Sequence, residues 1–141
     1  MSNLKGYTLI ELTVTVIVIA VIAGLALNNY LKALQTGYER DILMQLRLIQ
    51  NTLEFEWRTK KTYPTTDLND RDAINTALGL QIPQNDFFTS YKYTYYDGAG
   101  KPYYIIEIGT VSGWSVAYDD SGSRTYCSSG ACPTCDATSC P

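Results

Sequence analysis

The sequence predicts an α+β chain: one long N-terminal helix, membrane-spanning in its first half and amphipathic in its second, packed on a small antiparallel sheet of three to four strands. Three observations predict it. Residues Tyr7 to Leu27 form an apolar run with one charge, Glu11. Apolar residues then recur at three- and four-residue spacing as far as Trp57. Beyond Pro83 the texture changes to β-branched and aromatic runs separated by Gly- and Asp-containing turns. At 141 residues there is room for one such helix and one modest head, without a second large core.

The Val- and Ile-rich stretch from Val14 to Ile22 favours strand in water. In lipid, a lone apolar segment must satisfy its own backbone groups, which makes it a helix. Further on, Leu31, Leu34, Tyr38, Ile42, Leu46, Ile49, Leu53 and Trp57 trace one helical stripe, with Lys32, Glu39, Arg40, Asp41, Arg47, Glu54, Glu56 and Arg58 assigned to the other faces. Thr62-Tyr63-Pro64 ends the pattern, because proline clashes with the preceding turn and pushes Tyr63 out of helical geometry. A helix from Tyr7 to Lys61 would be on the order of 80 Å long, with roughly 30 Å of it in lipid.

The head, residues 62–141, opens with a short helix from Asp70 to Leu78. Asn69 serves as N-cap with Asp72 three residues on, and Gly79 as the stop. Strands follow at Tyr91 to Tyr96 and Tyr103 to Ile108, joined by the turn Asp97-Gly98-Ala99-Gly100. Trp114 to Tyr118 and Ser123 to Cys127 come next, joined by Asp119-Asp120-Ser121-Gly122. Alternation puts Ile106, Ile108, Trp114 and Val116 on the face toward the helix.

An ionised side chain inside a membrane span costs roughly 2.5–3.5 kcal/mol, so Glu11 calls for a partner. Lys5 precedes the apolar run and Lys32 follows it roughly 30 Å away along a helix. The cation is therefore expected from another molecule. If the polar leader 1–6 is removed after Gly6, the new α-amino group of Tyr7 supplies a positive charge at almost the same depth on a neighbouring copy. Such a pairing is a rule for polymerisation.

The residues Lys5-Gly6-Tyr7-Thr8-Leu9-Ile10-Glu11-Leu12 resemble the class III signal of the type IV pilin and pseudopilin family, and the resemblance covers roughly residues 1–30. It implies a pilin-like fold, leader cleavage between Gly6 and Tyr7, N-methylation of Tyr7, and a polymerisation segment at 7–30 of a helix spanning 7–61. It also implies partners: a prepilin peptidase/methyltransferase, an inner-membrane assembly platform, and identical or related pilin subunits whose N-terminal amine Glu11 neutralises. Before assembly the chain would cross the inner membrane once, through 7–27; afterwards it would lie in an extracellular pilus or a periplasmic pseudopilus. The sequence departs from the family pattern at Tyr7, where Phe or Met is usual. Thr13 and Thr15 replace more apolar residues, and their hydroxyls are expected to bond back to the preceding turn. Asn28-Asn29 stands where many members carry a helix-breaking proline, leaving Gly24 and Gly37 as the weak points of the helix.

Two plainer readings compete. One is an ordinary secretory signal cut near Gly24-Leu25-Ala26; the other is a signal anchor carrying an exported binding module. Neither gives Glu11 a role.

Composition narrows the function further. In residues 62–141 four basic residues stand against nine acidic ones, so the head is near minus five and no nucleic-acid partner is expected. There is no histidine, no G-x-S-x-G, no P-loop and no carboxylate pair spaced for acid/base work, so no enzyme and no cofactor are expected. The four cysteines, Cys127, Cys132, Cys135 and Cys140, are even in number and suit an oxidising compartment, which points to two disulfides stapling a tail at 127–141. Three pairings are open. Zinc is the sharper alternative, since Cys132-Pro133-Thr134-Cys135 is a C-x-x-C unit, but the spacing makes only one knuckle, and no metal is expected. Asp119-Asp120-Ser121-Gly122 reads as a type I turn in preference to a calcium loop. The twelve tyrosines read as strand formers in preference to an aromatic conduit. The expectation is a structural subunit, a prepilin of a type IV pilus, with a type II secretion pseudopilin as the alternative.

Overall fold

A computed structural model describes residues 8–98, 100–136 and 138–140. The order of elements is α1 (Leu9–Lys60), α2 (Arg71–Leu78), β1 (Phe88–Tyr96), β2 (Tyr103–Thr110), β3 (Ser115–Asp119) and β4 (Arg124–Ser129). The chain divides into two compact units between Gln35 and Thr36.

In the first unit every described side chain is exposed, the apolar ones included. The helix passes through Gly24 and Asn28-Asn29 without a break. It holds the one candidate membrane span among the described residues, and none of that window is buried. Leu31 and Leu34, which the stripe assigned to the head, are exposed here.

In the second unit the remainder of α1 lies on an antiparallel meander of order β1-β2-β3-β4. This is the α+β, pilin-like layout the sequence predicts. Register explains the core: Ile106 stands opposite Tyr93 and Tyr118, and Ile108 opposite Tyr91 and Val116, so these side chains share one face. Ile42, Leu46, Ile49 and Leu53 of α1 complete the same apolar cluster. Burying each of these four contributes about 1.5–3 kcal/mol. Two polar stitches fix the helix over the sheet, from the Tyr91 hydroxyl to Gln45 Oε1 at 2.9 Å and from Gln50 Nε2 to the Tyr118 hydroxyl at 3.0 Å.

Boundaries shift in ways local chemistry explains. Helix α2 starts one residue late: Asp70, not Asn69, is the N-cap, and its carboxylate accepts the Ala73 N–H at 2.7 Å. Gly79 closes the helix at φ +64°, a conformation open to glycine. Strand β1 begins at Phe88 instead of Tyr91, because an irregularity between Phe88 and Ser90 lets the chain join the ladder early. Strand β3 begins at Ser115, after Trp114, and β4 runs on to Ser129. Leu68 pairs with Tyr93 beside β1, and the tail bonds to β4 through Cys127 N–H to Asp136 O and Cys140 N–H to Thr125 O, so both sheet edges are partly covered.

Candidate functional site

The start of α1 is built from Thr8 and Glu11. Thr8 precedes the first helical residue, so four N–H groups there lack intrahelical acceptors. The Glu11 N–H donates to Thr8 Oγ1 at 3.3 Å, while the Thr8 N–H donates to Glu11 Oε2 at 3.1 Å. The Thr8 hydroxyl donates to the same oxygen at 3.1 Å. This is a reciprocal capping box, and Thr8-Leu9-Ile10-Glu11 carries its T-x-x-E signature in the sequence. The expectation that a cation for Glu11 comes from another molecule stands beside this local capping. Two neutral donors hold Oε2 locally, and the carboxylate sits where the helix dipole favours negative charge. Its charge is not neutralised by those donors.

Two further expectations meet the structure here. The Thr13 and Thr15 hydroxyls donate back to Ile10 O and Leu12 O at 2.9 and 2.8 Å. Gly6 and Tyr7, expected at the cleavage and methylation positions, lie outside the described residues.

The cysteines form two bridges, Cys127–Cys132 and Cys135–Cys140, which settles the pairing. All four sulfurs are thereby engaged. Asp136 folds the last loop: the Thr138 hydroxyl and the Ser139 and Thr138 N–H groups hold its carboxyl below the usual carboxylate range.

Glu39 departs most from the sequence reading. Assigned to a solvent face of α1, it is fully buried, and its carboxylate accepts three hydrogen bonds from the tail. A signal was available, because Glu39 lies three residues before Ile42 and seven before Leu46, on the buried side.

The acidic turn is committed to protein donors. Asp119 Oδ1 accepts from the Ser121 N–H and hydroxyl at 2.9 and 2.6 Å, and Oδ2 faces Arg124 at 3.6 Å. Asp120 faces Lys101 at 3.7 Å. Burial pushes the Asp120 carboxyl up, and Lys101 moderates the effect. A hydrogen bond to Tyr63 raises the Lys101 ammonium despite some desolvation. Lys101 also lies over Trp57 and Tyr63, at 5.5 and 5.7 Å from the ring centroids. These rings continue into Tyr104, Tyr93 and Tyr118 at centroid distances of 5.0 to 6.0 Å. Among the described residues, Tyr104 Oη and Trp114 Nε1 are buried side-chain polar atoms without a hydrogen-bond partner.

The chain matches no family model, no curated protein and no solved structure.

Proposed function

We propose that this chain is a structural filament subunit, a prepilin of a type IV pilus whose processed form polymerises through α1. The observation that carries the reading is the apolar first part of α1, exposed at every residue from Leu9 to Gln35 and headed by the Glu11 carboxylate, with Lys5-Gly6-Tyr7 shortly before it in sequence. A lone chain leaves that surface to lipid; a bundle of copies would bury it. The second half of α1 offers matching surface, since Met44, Leu48 and Phe55 are exposed on the head helix at 69%, 45% and 66%. The capping box refines the mechanism. With Oε2 held by Thr8, Glu11 is preorganised to receive the Tyr7 amine of an adjacent subunit, an interaction made only on assembly.

Separating local capping from intermolecular pairing tests the proposal. Thr8→Ala removes the hydroxyl of the box at a cost of about 1 kcal/mol, roughly fivefold in an equilibrium, and should leave filaments at reduced yield. Glu11→Ala also removes the charge that recruits the amine and should abolish or disorder filaments while leader processing continues. Intact mass and N-terminal sequencing of both variants establish processing. Wild-type filament yield from Glu11→Ala would sink the mechanism. A chain retaining residues 1–6 would return the anchored binding module to the front. If deletion of the gene impairs protein secretion and spares twitching and adhesion, the type II secretion pseudopilin replaces the pilus subunit.

A further inference from the structure

Glu39 receives its three hydrogen bonds from one short stretch. The Thr134 N–H and hydroxyl donate to Oε2 at 2.8 and 2.6 Å, and the Cys135 N–H donates to Oε1 at 2.9 Å. These donors sit in Cys132-Pro133-Thr134-Cys135, between the two bridges, and each end of the stretch is tied to β4. Cys132 is bonded to Cys127, within β4. Cys135 is bonded to Cys140, whose N–H donates to Thr125 O of β4. Both bridges close loops of sequence separation 5, so neither spans from tail to helix. Of the hydrogen bonds given above, those that cross to α1 from the tail all end on Glu39.

We propose that Glu39 and the two bridges act as a single redox latch, in which the bridges hold three donors converged on a buried carboxylate and a dithiol reductant releases the tail from α1. A buried carboxylate is tolerated only while hydrogen bonds replace its water. The donors converge because both ends of the stretch are fixed. Opening one bridge frees an end, the donors diverge, and water must enter to solvate Glu39. Cys135 is part of the core cluster and the other three cysteines pack against it, so release also opens the core at this corner. In the chemical step, a reductant thiolate attacks one sulfur of a bridge to give a mixed disulfide. The reductant's second thiol then displaces the cysteine, leaving two cysteine thiols and the cyclic disulfide of the reductant. The inference does not depend on how the chain assembles.

Hydrogen exchange of the full-length protein in detergent micelles, read by mass spectrometry, tests it. The peptide spanning 130–140 reports the tail and the peptide spanning 88–110 reports the sheet. In the oxidised protein the tail should exchange at least about tenfold more slowly than after dithiothreitol treatment. Oxidised Glu39→Gln, which turns one acceptor into a donor, should lose about the same protection. Reducing that variant should add less than about twofold, because partners in one latch are non-additive. Full tail protection in oxidised Glu39→Gln, or multiplicative effects of the variant and reduction, would overturn the proposal. If Glu39→Gln also deprotects the sheet, Thr134→Val decides: it removes one donor of the three and should speed tail exchange about threefold with the sheet unchanged. No change in the tail of Thr134→Val refutes the latch as well.

Discussion

Alkaline pH should unfold the head through two tyrosines. Tyr93 and Tyr104 are both fully buried, and burial pushes their phenols far above the ordinary 10.0. A raised folded value means that the native state keeps its proton while the unfolded chain loses it, so stability is intact below about pH 10 and falls as pH rises beyond it. Between about pH 9 and about pH 11 each such group removes about 1.4 kcal/mol, or about 3 kcal/mol for the pair. Tyr63, Tyr91 and Tyr118 are raised by the same burial and act in the same direction. Lys101, raised chiefly by Tyr63, shares that sign. Asp120 is also raised, but its effect is complete well below about pH 9 and adds nothing in this window. Guanidinium unfolding of the full chain in micelles, followed by tryptophan fluorescence at the two pH values, measures the loss. Tyr104→Phe provides the control. It removes a hydroxyl that has no partner, so stability at neutral pH should hold or rise, and the alkaline loss should shrink by about 1.4 kcal/mol. Equal stability at the two pH values, or tyrosinate absorbance showing all tyrosines ionised in a still-folded head, would refute the reasoning.

Two further outcomes are expected from backbone chemistry. Asp70→Ala removes the cap of α2 and should cost about 1 kcal/mol, lowering the melting temperature of the head by about 4–8 °C, as read by circular dichroism. Gly109→Ala would bring a new Cβ against the hydroxyl of exposed Ser90, which can turn aside, and should cost less than about 1 kcal/mol in denaturant unfolding. Adding Ser90→Ala should recover most of that, and a double variant no better than the single would show that the strain lies elsewhere.

The sequence made the large features legible because they rest on long periodic patterns. A continuous apolar run from Tyr7 to Leu27, a helical stripe from Leu31 to Trp57 and strand runs such as Tyr-Tyr-Ile-Ile-Glu-Ile leave few other options. Single-residue geometry was not legible. Asn69 and Asp70 are both good caps, and only the backbone decides which one reaches Ala73. The irregularity at Phe88 to Ser90 breaks the alternation that would have marked the start of β1. The cysteine pairing was undetermined because spacing alone does not say which sulfurs meet. Glu39 was missed for a different reason. A carboxylate inside a stripe is assigned to solvent by default, and its donors lie nearly a hundred residues away in a segment of Ser, Gly and Pro that carries no periodic signal.

The distance along the chain between Glu39 and Thr134, 95 residues, sets an order of events during biosynthesis. At about 5–20 residues per second the ribosome needs roughly 5–19 s to deliver the donors after the carboxylate has been made. The strands pair with neighbours in sequence and can zip as they emerge, whereas this junction joins α1 to residues 134 and 135. Until Thr134 and Cys135 reach it, burying Glu39 would leave its carboxylate without hydrogen bonds, which disfavours closing the helix over it early. The closing of that corner of the core is thereby tied to the arrival of Thr134 and Cys135.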